Sequence, residues 1–209
     1  MKYKLIAPII ALGFMTSCET ADSICNRAQS LYEAADYAAA VPLYKQAAER
    51  GHVEAQLMLG KCYDFGHGVK ENSTEAVRWY RQAAEAGHVG AQNNLAACYY
   101  SGAGVPVSMS QALYWYNKAA AQDNAVAYNN LGLHYLNGEG VPQNKEIAAQ
   151  YFAKAAEHGD ANGQYNLGKC YTMGIGVAQD EQQGKLWVGK AAAQGHKNAA
   201  LFMRDNNWN

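Results

Sequence analysis

Cysteine and histidine are the side chains best suited to chemistry in this chain, and they recur at one interval. Cys62, Cys98 and Cys170 lie on a 36-residue spacing whose remaining member is His134. Three thiols and an imidazole form a zinc ligand set if their atoms converge at about 2.0–2.3 Å from one point. His52, His88 and His196 share a second column on the same spacing, with Asn124 and Asp160 between them. A third column is Gly-x-Gly, at residues 66–68, 102–104, 138–140 and 174–176. It lacks the third glycine of a dinucleotide fingerprint and follows helical patterns rather than strands, so phosphate cradling is not expected. No Ser/His/Asp arrangement, carboxylate pair or Ser-x-x-Lys motif stands out. The chain reads as carrying no catalytic residues and needing no cofactor.

The elements that position these columns are helices in pairs. In three of the four 36-residue units Ala, Leu and Tyr recur at spacings of four, as in Ala127, Leu131 and Tyr135, and define one face of a first helix, A. The glycine pair ends it, since a glycine just past a helix can take the left-handed conformation that caps the last carbonyls. A second helix, B, carries an alanine, an aromatic pair and two further alanines, as in Ala112, Trp115, Tyr116, Ala119 and Ala120. Self-similarity at a fixed period of this length predicts a solenoid. Equivalent positions in stacked helix pairs then lie roughly 8–10 Å apart. That is too far for zinc ligands to converge, or for the Cα separation of up to about 7 Å that a disulfide needs. The cysteines of this column therefore read as small buried core residues and no metal is expected; a Cys25–Cys62 disulfide stays open. The histidine column stands at the start of helix A, where Asn and Asp accept from free backbone N–H groups, and reads as caps rather than ligands or bases.

The N-terminus differs in kind. Lys2 and Lys4 precede an apolar run, Leu5 to Met15, too short to span a bilayer. Residues 1–17 read as a leader to be removed. Met15-Thr16-Ser17-Cys18 resembles the bacterial lipobox, with methionine in place of the usual leucine. That resemblance implies a lipidated Cys18 as the new N-terminus, anchoring the protein to a membrane. Glu19 after it favours the outer membrane. An ordinary secretory leader with a coincidental cysteine is the alternative. Residues 18–23 read as a short tether, with the first helix from Cys25. Without residues 1–17 the chain has 15 basic and 18 acidic residues, a formal charge of −3. This gives no electrostatic footprint for nucleic acid.

Ala-x-x-x-Leu-Gly-x-x-Tyr, Gly-x-Gly-Val and Ala-x-x-Trp-Tyr-x-x-Ala-Ala together resemble the Sel-one-like repeat family, relatives of the tetratricopeptide repeats. Four copies cover residues 52–196 in phase. Residues 24–51 form an atypical pair closer to a tetratricopeptide repeat. Residues 197–209 read as a capping helix with a tail that frays. Ala96 in place of the motif glycine, Gly184 in place of the helix-B alanine and Val188 in place of the second aromatic are expected to cost local stability without changing the fold. The resemblance implies an all-α, right-handed α-solenoid of stacked antiparallel helix pairs.

By the same resemblance a partner would lie on the concave helix-A face. The expected apolar centre is Tyr100, Leu133 and Leu136, with Asn93 and Asn129 as amides beside it and Tyr165 further along. The function implied is a non-enzymatic, envelope-anchored adaptor binding a protein partner. An immunity protein against a secreted effector such as a lipase, and an envelope hydrolase or its regulator, are the alternatives.

Overall fold

The structure, a computed structural model, describes residues 19–208. The expected leader and Cys18 lie outside the described residues, as does Asn209. The described residues form helices and no strand, in the order α1 (Ala21–Glu33), α2 (Tyr37–Glu49), α3 (Val53–Phe65), α4 (Ser73–Glu85), α5 (Val89–Ser101), α6 (Met109–Ala120), α7 (Ala125–Asn137), α8 (Lys145–Glu157), α9 (Ala161–Met173), α10 (Glu181–Ala193) and α11 (Lys197–Asp205). Odd-numbered helices are helices A and even-numbered ones helices B. Each A packs on the B that follows it and on the B before it, which is an α-solenoid.

Local chemistry sets the boundaries. His52, His88, Asn124, Asp160 and His196 are the N-caps of successive helices A, accepting from the backbone N–H of Ala55, Ala91, Ala127, Gly163 and Ala199. The capping histidines also reach the preceding helix A. His88 Nε2 lies 2.9 Å from Glu54 Oε2 and His196 Nε2 lies 3.1 Å from Asn162 Oδ1. Asn72, Ser108, Asn144 and Asp180 cap the helices B in the same way. The backbone N–H of each donates to the carbonyl of the motif tyrosine, Tyr63, Tyr99, Tyr135 or Tyr171, closing the A–B turn.

Two kinds of close approach fix the stacking. Within a pair, a Cβ on Gly60 would meet the Tyr80 ring at 2.6 Å and one on Gly132 the Phe152 ring at 2.6 Å. Val188 covers Gly168 in the same way and is fully buried. Ala96 is fully buried in the same core as Tyr116. Between pairs, the second loop glycine lies against the start of the preceding helix B. Gly176 sits at φ 69, and a Cβ there would overlap the Lys145 carbonyl; Gly104 stands equally against Ser73. Gly184 is a correction to the sequence reading. An alanine there would overlap Thr172 Oγ1, which donates to the Gly168 carbonyl at 2.9 Å, so glycine is what this packing requires.

The core runs the length of the stack. Leu59, Leu95 and Leu131 are fully buried. Cys25, Cys62, Cys98 and Cys170 are free, buried thiols, and desolvation pushes the last three up to about 11. Buried glutamines add a polar ladder. Gln92 donates to the Ala84 carbonyl and accepts from Gln122, and Gln164 donates to the Ala156 carbonyl and accepts from Gln194. Gln56 donates to the Ala48 carbonyl, but its Oε1 has no partner. The residue 36 places before Gln122 is Ala86, which cannot supply the donor.

Both ends depart from expectation. α1 begins at Ala21, because Thr20 accepts from Ser23 N and the Arg27 guanidinium holds Glu19 at 2.8 Å. Residues 21–23, read as tether, are helix. The tail does not hang free. Trp208 is 7% exposed, packs on Phe202 and donates from Nε1 to Glu181 Oε1 at 3.2 Å.

Leu131→Ala is expected to cost about 2–5 kcal/mol in urea unfolding, since it empties a fully buried site in the central helix A. Ala86→Gln is expected to raise stability by about 0.5–1.5 kcal/mol, by donating to Gln56 Oε1 as Gln122 does to Gln92. An unchanged or lower midpoint for Ala86→Gln in the same measurement would contradict the ladder.

Candidate partner-binding face

Helices A touch one another directly. Asn130 Nδ2 donates to Asn93 Oδ1 at 3.5 Å and Asn166 Nδ2 to Asn129 Oδ1 at 2.8 Å, and α7 contacts α9. This row of helices A is the face that the sequence reading expects to be concave.

The candidate residues divide on it. Tyr100, at 41% exposure, and half-buried Leu133 border one hollow of about 90 Å³, together with Tyr116, Asn130, His134 and Glu139. Leu136 is half-buried and packs on the neighbouring core around Ala148 and Leu167. Asn93 is half-buried and engaged with Asn130. Asn129 corrects the expectation of a free amide. It is 5% exposed, and its Oδ1 accepts from Asn166, so it ties helices together rather than facing a ligand. Tyr165 lies apart from the others. Its ring stacks on His196 at 4.8 Å and meets Phe202 edge-on, so α11 covers it.

The sequence reading missed Phe65 and Met173, which are 63% and 57% exposed. Both are the last residue of a helix A, directly before the capping glycine. That column also holds Ser101 and Asn137, so its apolar members do not form a continuous signal. Phe65 borders a second hollow of about 200 Å³ with Asp64, Asn94, Ala97 and Ser101. Asp64 there accepts from the buried Tyr80 hydroxyl at 3.1 Å, and the loss of solvent holds that proton on the tyrosine.

A larger hollow, about 330 Å³, lies on the helix-B side against Thr74, Arg78, Arg81 and Val105. Its cations are already engaged. Arg78 pairs with Glu75 at 2.8 Å, and Arg81 donates to the Tyr99 hydroxyl at 2.9 Å. Size alone does not make it the better site.

His134 occupies the column that holds cysteine elsewhere, and its ring is 3% exposed. Nδ1 lies 2.9 Å from the Glu139 carbonyl oxygen, which can only accept, so the proton sits on Nδ1. Tyr100 meets this ring edge-on with centroids 5.2 Å apart. Burial pushes Tyr116 up to about 12, and a hydrogen bond to the Glu139 carboxylate raises Tyr100, so both hydroxyls stay protonated.

Comparison with known proteins places this architecture. The Sel1 repeat matches five consecutive stretches, residues 28–52, 53–88, 89–124, 125–160 and 161–196, including the first pair, which lacks the glycine loop. An SLR-fold protective antigen of uropathogenic Escherichia coli is 38% identical with a TM-score of 0.78, over 86% of this chain and 39% of its own length. The chain thus spans about two fifths of that antigen. A Sel1 repeat protein of Oxalobacter formigenes is 32% identical with a TM-score of 0.82, over 87% of this chain and 76% of its own. Immunity protein Pa5087 of Pseudomonas aeruginosa is 25% identical with a TM-score of 0.61, over 88% and 69%. A comparison with curated protein sequences returns no match. Five in-phase matches across residues 28–196 put the chain in the Sel1 repeat family.

Proposed function

We propose that this protein is a non-catalytic scaffold that binds a protein partner on its concave helix-A face, held at the bacterial envelope by a lipid on Cys18. The observation that carries the binding reading is the run of exposed or half-buried apolar side chains on successive helices A: Phe65, Tyr100, Leu133, Leu136 and Met173. An apolar centre within a polar rim suits protein recognition. Lys61 and Lys169 flank it on α3 and α9. Membership of a repeat family used for protein–protein interaction agrees with this reading. The anchor rests on the lipobox-like sequence at residues 15–18 and would face the periplasm from the outer membrane. Among the described residues no helix is long and apolar enough to cross a membrane.

A second reading narrows the partner. The likeness to a Pseudomonas aeruginosa immunity protein favours a partner that is a delivered effector, neutralised by occupation of the same face.

Affinity capture from the native envelope tests the binding face, with Tyr100→Ala/Leu133→Ala as control. One stoichiometric protein retained by wild type and lost by the folded double variant is the expected result; equal retention by both removes the concave-face reading. Labelling cells with a radioactive fatty acid tests the anchor. Wild type is expected to incorporate label and Cys18→Ala to incorporate none, and label persisting in Cys18→Ala would place the lipid elsewhere or remove it from the account.

A further inference from the structure

The hollow beside Tyr100 has a chemistry that the apolar row around it lacks. One of its polar groups is His134, a buried residue in a place that the other 36-residue copies fill with the buried thiols of Cys62, Cys98 and Cys170. With the proton on Nδ1 and bonded to Glu139 O, Nε2 is left as an acceptor. Nε2 makes no hydrogen bond among the described residues, and it is not among the side-chain atoms sealed from solvent without a partner. His134 is one of the residues that line the hollow, which makes Nε2 its candidate acceptor. The other walls are the rings of Tyr100 and Tyr116, the Asn130 amide, the Leu133 side chain and Glu139. No lysine or arginine lines the hollow. It thus sets one imidazole and two aromatic rings around a volume of about 90 Å³, with the Glu139 carboxylate, which already accepts from the Asn137 amide at 3.2 Å and from the Tyr100 hydroxyl, as its one charged side chain.

We infer that this hollow is a receptor for a protonated amine, the lysine side chain of the partner protein. The inference rests on the concave-face reading and adds the chemistry of its anchor. An ammonium carries only donors, and the hollow has acceptors for them in His134 Nε2 and the second oxygen of the Glu139 carboxylate. Its N–H groups would reach His134 Nε2 and the Glu139 carboxylate, and its charge would lie against the electron-rich faces of the tyrosines. The methylene stem would leave along Leu133 toward the apolar row. A carboxylate occupant would face Glu139 and an acceptor nitrogen. A purely apolar one would leave Nε2 without a donor and without water.

The test is an NMR titration of the full chain, observing the His134 and Tyr100 ring signals, with Nα-acetyl-lysine methylamide as probe. Nα-acetyl-norleucine and Nα-acetyl-glutamate methylamides are the controls. Saturable shifts with the lysine probe alone are expected. Glu139→Gln should weaken binding about tenfold, the loss of a charge-assisted hydrogen bond. His134→Cys, which installs the residue of the other copies and should fold, is expected to abolish saturation. No saturable shift, equal shifts with norleucine, or an unaltered constant in Glu139→Gln overturns the inference. A captured partner that needs Tyr100 and Leu133 but binds Glu139→Gln and His134→Cys at full strength overturns the amine pocket and leaves the face. A saturable lysine shift with capture indifferent to Tyr100 and Leu133 overturns the face reading instead, and with it the assignment of the amine to a protein partner.

Discussion

The distance of closest approach between backbone segments governs this structure. The second loop glycine of one pair lies against the opening turn of the helix B before it, with no room for a Cβ at Gly104 or Gly176. The motif glycine of helix A lies under a ring or a branched side chain of helix B, as Gly132 lies under Phe152. Both contacts are set by what is absent from the side chain. They hold the helices at one separation and one offset, repeated along the chain. Cores, caps and polar ladders then recur because the geometry that permits them recurs.

Where one contact changes, another has changed with it. Thr172 places a hydroxyl where Asp64, Tyr100 and Leu136 stand in other copies, and Gly184 makes room for it. Tyr128 replaces the ladder glutamine, and its hydroxyl donates to Asp123, which takes positive φ where other copies have glycine. Gln56 is the place where the compensation is missing, and its orphaned oxygen follows from the single residue Ala86.

The architecture was legible in the sequence because it is periodic. A column such as Leu59, Leu95, Leu131 and Leu167 announces burial by repetition, and the capping column was readable because Asn124 and Asp160 share it with three histidines. The site was less legible for the same reason. A binding face is built from positions where copies differ, so the period that identifies the fold is silent there. Asn129 and Asn93 sit at equivalent positions and read alike, yet one is sealed by Asn166 and the other remains half-open beside Asn130. Phe65 and Met173 escaped because their column also holds serine and asparagine. His134 was noticed as an exception in a cysteine column, but its open nitrogen depends on where the Glu139 carbonyl falls, which no spacing reveals.

The capping histidines have a consequence for how the molecule assembles. Asparagine or aspartate at a helix start satisfies its own helix. Imidazole has two nitrogens on opposite sides of a ring, and at His88 and His196 one serves the helix that begins there while the other grips the first turn of its neighbour. The same ring therefore reports on two helices at once. It is oriented fully only when both exist, so starting a helix and recognising the adjacent one become a single event. At those two joints the imidazole is a tooth shared by neighbouring helices, whereas Asn124 and Asp160 stand at the joints between them.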